Sequence, residues 1–104
     1  MTDTYFNLSD MTTFNDIEPV KSHMGWLRQR MFSNGWGVSI IPEVQDKDFC
    51  EVAVMSHESN RHAKLTSESG LFGGEQVSRH HTVEEVDRII QQIETLPDRG
   101  FNVV

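Results

Sequence analysis

The chain is poor in cysteine, in positive charge and in long apolar runs. Cys50 is the only cysteine among 104 residues, which excludes an intramolecular disulfide and gives no indication of an oxidising compartment. No segment approaches the roughly 18 consecutive apolar residues of a membrane-spanning helix. The N-terminal residues also lack the basic start and apolar run of a signal peptide. We therefore expect a cytoplasmic protein with no membrane partner.

Basic residues are outnumbered by acidic ones, nine against sixteen, and the net charge is −7. A general nucleic-acid binder needs clustered Lys and Arg for phosphate contacts. The densest basic group here is Arg28 with Arg30, so the charge balance argues against a nucleic-acid partner. It favours basic protein surfaces as partners, or serves solubility alone.

The clearest local pattern is an Asn-Gly pair followed by alternating hydrophobic residues, from Ser33 to Ile41. This pattern predicts a β-hairpin. A two-residue turn at Asn34 and Gly35 would place Met31 opposite Val38, and a period of two then separates an apolar from a polar face. The predicted apolar face carries Leu27, Met31, Trp36, Val38 and Ile40, and the predicted polar face carries Arg28, Arg30 and Ser39. We favour a strand from Leu27 to Phe32, although the spacing of Val20, Met24, Leu27 and Met31 also fits a helix.

Further along the chain, the stretch from Phe49 to Met55 is rich in β-forming residues and predicts a central strand. Cys50, Val52 and Val54 fall on one face of that strand. The apolar setting favours a buried thiol for Cys50 over a nucleophile. Residues 61–66 are compatible with a further short strand.

The last element is a helix from Thr82 to Leu96. Thr82 and Glu85 have the spacing of a capping box, and Pro97 ends the helix. Its apolar stripe consists of Val86, Ile89, Ile90, Ile93 and Leu96. Burying each of these side chains would contribute ~1.5–3 kcal/mol, so we expect the helix to lie on the sheet face that carries Val38, Ile40, Val52 and Val54.

These elements predict an α+β fold, with a small antiparallel sheet of three or four strands and a C-terminal helix packed on one face. Residues 1–26 are interpreted as an N-terminal arm that packs on the domain or on a second copy. Residues 27–104 are interpreted as the single α+β domain.

No motif predicts a metal, a cofactor or a catalytic centre. His57 and His62 are five residues apart, whereas a zinc-binding helix needs histidines four apart. His80 and His81 precede the helix without a third ligand at a recognisable spacing. No serine lies in a nucleophile-elbow pattern.

Three segments together resemble a group of small uncharacterised tailed-bacteriophage proteins. They are the hairpin Phe32–Ile41, the strand Glu51–Met55 and the helix start Thr82–Val86, and the similarity spans about residues 30 to 96. The resemblance implies a phage source and an α+β fold, and it implies no activity. The long N-terminal segment and residues 61–74 depart from the pattern of that group.

We therefore predict a small, acidic, non-enzymatic protein that binds a host or phage protein as an inhibitor or adaptor. The candidate contact residues are Trp36, Arg28, Arg30, Tyr5 and Phe6, with the core as the alternative position for Trp36. A virion structural or assembly role is the first alternative, and the apolar arm would then wrap a neighbouring subunit or a second copy in a homodimer. The second alternative is a metal-dependent or ligand-binding enzyme that uses His57, His62, His80 and His81.

Overall fold

A computed structural model describes residues 11–23, 25–57 and 63–98. The described residues form a short 3₁₀ helix, six strands and one α-helix. In chain order they are the 3₁₀ helix Phe14–Asp16, β1 (Val20–Ser22), β2 (Gly25–Met31), β3 (Trp36–Pro42), β4 (Cys50–His57), β5 (Ala63–Leu65), β6 (Val77–His81) and α1 (Val83–Glu94).

The strands form one curled antiparallel sheet in the order β1-β2-β3-β4-β5. One edge of β4 pairs with β3, and the other edge pairs with β6 near Cys50 and with β5 near His57. The predicted α+β class is confirmed, but the predicted three or four strands were too few. The prediction included β2, β3, β4 and, within residues 61–66, β5, and it missed β1 and β6. β1 has only three residues, too few for an alternation that a sequence pattern could reveal.

The hairpin between β2 and β3 has a different turn from the predicted one. Its loop has three residues, because the Phe32 N–H donates to the Trp36 carbonyl at 2.8 Å and the Gly35 N–H donates to the Phe32 carbonyl at 3.1 Å. Gly35 has a φ of 87°, whereas Asn34 is not among the residues with positive φ. The predicted two-residue turn would have needed positive φ at both positions. The turn is therefore a type I turn closed by a left-handed glycine.

This extra loop residue moves the β2 register by one and exchanges the two faces of the strand. Arg28 pairs with Ile40 and Arg30 pairs with Val38, while Met31 pairs with Gly37. The predicted division of the hairpin faces was therefore wrong, since both arginines lie on the same face as Val38 and Ile40.

Close packing at Gly37 explains why a glycine stands opposite Met31. A Cβ atom built at Gly37 would lie 2.3 Å from the Met31 Sδ and 2.6 Å from the Arg30 carbonyl oxygen. The Arg30 carbonyl oxygen belongs to the backbone of the neighbouring strand, so it cannot move aside as the end of a flexible side chain can. The two strands thus approach closely only because position 37 has no side chain.

The core lies between α1 and the face of β3 and β4 that was predicted to receive it. The capping box is present, with the Glu85 N–H donating to the Thr82 hydroxyl at 3.2 Å and the Thr82 N–H donating to the Glu85 carboxylate at 3.0 Å. The fully buried residues shared by sheet and helix are Val38, Ile40, Val52, Val54, Val86, Ile90 and Ile93. The predicted helix and its apolar stripe are confirmed, with Leu96 partly buried beyond the last helical residue.

Residues 11–17, within the segment interpreted as an arm, form part of this core. Ile17 is buried among the sheet and helix residues. The Thr12 N–H and hydroxyl both donate to the Glu94 carboxylate at 3.0 Å, and the Phe14 N–H donates to Asp87 at 2.7 Å. The segment therefore runs along α1 from its C-terminal towards its N-terminal end. Residues 1–10, with the predicted contacts Tyr5 and Phe6, lie outside the described residues.

Candidate functional site

The described residues form an open, mainly apolar groove of about 510 Å³. It lies where β2 begins, β3 ends and α1 begins. Its lining consists of Phe14, Pro19, Trp26, Leu27, Arg28, Ile40, Pro42, Lys47, Cys50 and Val83. A volume of this size is typical of sites that hold a small ligand or a few side chains of a partner. We refer to these ten residues as the groove.

Trp26 is the large exposed apolar residue of the groove lining. Its side chain is 57% exposed, and Val20 on the adjacent strand β1 is 53% exposed. The Lys21 ammonium lies 6.0 Å from the centre of the Trp26 ring. Exposed tryptophans are rare because their burial is favourable, and they are enriched at the centres of protein interfaces.

The groove is positively charged on a protein that is negatively charged overall. Its lining contains two basic residues, Arg28 and Lys47, and no acidic one, although the chain carries a net charge of −7. The local charge is therefore suited to a carboxylate next to an apolar group.

Arg28 also holds the segment before β1 in place. One of its guanidinium nitrogens, Nη1, donates to the Ile17 carbonyl at 2.6 Å and to the Phe14 carbonyl at 3.1 Å. The guanidinium stacks 4.0 Å above the Phe14 ring. These contacts use one end of a five-donor group, so the positive charge at the groove is not neutralised by them.

The groove floor is chemically inert. Ile40 and Cys50 form it, and Cys50 is only 4% exposed. Burial raises the pKa of the Cys50 thiol, while Arg28 lowers it and Glu43 raises it to smaller extents. A buried thiol with a raised pKa stays protonated and packs as an apolar group. The prediction of a buried Cys50 is confirmed.

The predicted contact residues are separated in the structure. Arg28 lies in the groove. Arg30 lies next to it on the same face and is exposed, with a guanidinium nitrogen donating to the Asp16 carbonyl at 3.0 Å. Trp36 occupies the core position, 8% exposed, at the opposite end of β3. Its indole N–H donates to the Pro97 carbonyl at 3.0 Å.

Two of the histidines considered for an enzyme, His80 and His81, make side-chain contacts close to the start of α1. His80 stacks on Phe49 with ring centres 3.9 Å apart, and its Nδ1 lies 3.2 Å from the Glu43 carboxylate. His81 contacts Ser78 and Glu85. Across residues 11–23, 25–57 and 63–98, no group of three or more His, Cys, Asp or Glu side chains converges as a metal site would require. His62 lies outside these ranges.

Comparisons of the chain with protein-family models, with curated proteins and with solved structures found no match. The contacts of this chain alone therefore carry the functional argument. In the part of the chain that the structure describes, no helix is long and apolar enough to span a membrane.

Sequence reasoning missed Trp26 and Lys47 as groove residues. Trp26 stands one residue before the predicted start of β2, and the predicted register gave it no defined face. Its distance from the Asn-Gly turn, combined with a three-residue loop, would have placed it on the same face as Arg28. Lys47 lies in a loop between β3 and β4, and no sequence pattern predicts where that loop is positioned.

Proposed function

We propose that the groove is a non-enzymatic binding site that holds a segment of a host or phage protein. The observation that carries the proposal is the exposed Trp26 at an open apolar groove. An apolar surface of this kind is costly to leave in water and is typical of an interaction site.

The positive charge at the groove specifies the occupant. A partner segment with an apolar side chain beside an Asp, a Glu or a chain-terminal carboxylate would place the apolar group against Trp26 and Ile40. Its carboxylate would then lie near Lys47 and Arg28. Such a segment matches both the apolar surface and the positive charge of the site. A uniformly apolar segment would match only the apolar surface, and a basic segment would be repelled by the charge.

The proposal also includes the phage source that the resemblance implies. A small acidic protein made in a host cytoplasm needs no catalytic centre to act on a host protein as an inhibitor or adaptor. The groove offers a surface on which such binding can be specific.

The experiment compares two groove variants with two matched controls. The groove variants are Trp26→Ser and Lys47→Glu. Leu65→Ser is the apolar control, since Leu65 is 38% exposed on β5, outside the groove lining. Arg88→Glu is the charge control, since Arg88 is exposed on α1 and also outside the lining.

Each tagged variant is used to capture proteins from host lysate, and the captured proteins are quantified by mass spectrometry. We expect one protein to be retained by both controls and lost with both groove variants. With the purified partner, Trp26→Ser should weaken the Kd about thirty-fold, which corresponds to roughly 2 kcal/mol for an interface hot spot.

Three outcomes would contradict the proposal. Equal capture by all four variants would place the binding surface elsewhere. Loss with Trp26→Ser but not with Lys47→Glu would remove the carboxylate from the description of the partner. A dimer of the wild-type protein that dissociates with Trp26→Ser in sedimentation would make a second copy of this chain the occupant.

A further inference from the structure

An irregularity in β6 brings together polar side chains that a regular strand would separate. Ser78 pairs with Val52 and His81 pairs with Cys50, so three steps along β6 match two steps along β4. The extra residue makes a β-bulge, and His80 within it has a φ of 65°. Bulges of this kind re-aim side chains and are enriched next to active sites.

The bulge places Ser78 and His81 on the same face. In a regular strand, residues three apart point to opposite faces. Here the Ser78 Oγ lies 2.6 Å from the His81 Nε2. This distance is that of a short, direct hydrogen bond.

The second ring nitrogen of His81 contacts the first turn of α1. His81 Nδ1 lies 3.3 Å from the Glu85 Oε1. The capping box fixes that carboxylate, because Oε1 also accepts the Thr82 N–H at 3.0 Å. This backbone hydrogen bond is the main reason that the pKa of Glu85 lies below its ordinary value, and His81 lowers it further.

These contacts determine the tautomer of a neutral His81. An ionised carboxylate only accepts hydrogen bonds, so Nδ1 carries the ring proton and donates it to Glu85. Nε2 is then an acceptor and receives the Ser78 hydroxyl proton. A serine bonded to Nε2 of a histidine whose Nδ1–H is held by a carboxylate is the arrangement of an activated nucleophile.

We propose that Ser78, His81 and Glu85 form a reactive serine site that takes activated carboxylic esters as substrates. Ser78 and His81 are the catalytic residues, and Glu85 is a positioning residue. The site is open to solvent, since the side chains of His81 and Glu85 are 22% and 48% exposed.

The reaction has two steps, acylation of Ser78 by the ester and hydrolysis of the acyl group by water. The Ser78 Oγ forms a bond to the ester carbonyl carbon while its proton passes to His81 Nε2. The bond to the leaving oxygen then breaks, and that oxygen takes the proton from His81. In the second step, water gives its proton to Nε2, attacks the acyl carbon and releases the acid, and Ser78 recovers its proton.

The test uses the full chain with two probes, a fluorophosphonate and p-nitrophenyl acetate. With the fluorophosphonate, an Oγ–P bond forms and fluoride leaves, so mass spectrometry can locate the adduct. Ser69 is the internal control, since its hydroxyl accepts the Leu71 backbone N–H at 3.1 Å. We expect Ser78 to be modified at least about 100-fold faster than Ser69, the lower range for general-base assistance.

The variants separate reactivity from folding. Ser78→Ala should abolish both the adduct and the burst of p-nitrophenol. Glu85→Gln keeps the capping box, because Gln can also accept the Thr82 N–H. It should therefore keep the fold with only a small fall in Tm, since the lowered pKa of Glu85 shows that its charge stabilises the folded protein, while it slows modification of Ser78 by about tenfold or more. Ser78→Cys is a second probe, and its thiol should react with iodoacetamide while the buried Cys50 does not.

The rates of Ser78 modification test this site separately from the binding function proposed for the groove. Modification of Ser78 at the rate of Ser69 would overturn the site, as would ester hydrolysis that persists in Ser78→Ala. An unchanged rate in Glu85→Gln would remove Glu85 from it. Trp26→Ser should leave modification of Ser78 intact, so the two proposals can fail separately.

Discussion

The two tryptophans of this protein lie near opposite ends of the hairpin formed by β2 and β3, and Trp36 is buried while Trp26 is exposed. Trp36 begins β3, and its indole N–H donates to the Pro97 carbonyl, just beyond α1. Trp26 lies in β2 at the end of the sheet where β3 finishes, and it forms part of the groove. One tryptophan, Trp36, thus covers one end of the core, whereas the other, Trp26, leaves the groove at the opposite end open to solvent.

The two tryptophans differ in exposure because the two ends of α1 make different contacts with the hairpin. At the C-terminal end, the helix carbonyls are bonded by Asn34, whose amide nitrogen donates to Ile93, Glu94 and Leu96 at 2.9, 3.2 and 3.1 Å. The hairpin loop is thereby held against the helix, and Trp36 is buried beneath it. At the N-terminal end, α1 satisfies its own amides through the capping box and leaves the groove uncovered.

The largest expected effect comes from opening the closed end with Trp36→Ala. Loss of a buried tryptophan leaves a cavity in the core, and we expect the free energy of unfolding to fall by about 3–5 kcal/mol. Urea denaturation followed by circular dichroism measures it. Trp36→Phe is the milder variant, because it keeps an aromatic ring; it removes the N–H donor, at a cost of about 1 kcal/mol, and also part of the indole volume. A loss below that value in Trp36→Ala would show that this end is not sealed by Trp36.

A smaller effect is expected from Asn34, and the order of its variants is the test. Asn34→Ala removes the donor to the helix carbonyls and should cost about 1–3 kcal/mol. Asn34→Asp should cost more than Asn34→Ala, because a carboxylate cannot donate and lies at the negative end of the helix dipole. Thermal melts of both variants at neutral pH give the order. The reverse order would contradict the assignment of Asn34 as the cap of this helix end.

The helix was predictable because every part of its evidence is local. The capping box, the apolar stripe and Pro97 all lie within one segment, so no distant contact was needed to recognise them. Val38, Ile40, Val52 and Val54 were likewise identified as its packing surface, because residues two apart on a strand share a face.

The hairpin register could not be predicted, because it is associated with a contact between residues far apart in the sequence. Asn-Gly is compatible with loops of two or three residues, and here the side chain of Asn34 is engaged by the end of α1, some sixty residues away along the chain. That long-range contact accompanies the three-residue loop, which places Arg28 on the core face. The groove and the bulge at His80 depend on similar pairings between distant strands, so sequence patterns revealed neither.

The smallest effect on stability is expected at the open end, with Trp26→Ser. Exposed residues away from caps and cores change the free energy of unfolding by about 0.5 kcal/mol or less. This variant also leaves Trp36 as the only tryptophan, just as Trp36→Phe leaves Trp26. Fluorescence of Trp36→Phe should therefore lie at longer wavelength, and be quenched more strongly by acrylamide, than that of Trp26→Ser. Equal emission and quenching would mean that Trp26 is covered in solution, and the groove would then be filled by part of this protein rather than by a partner.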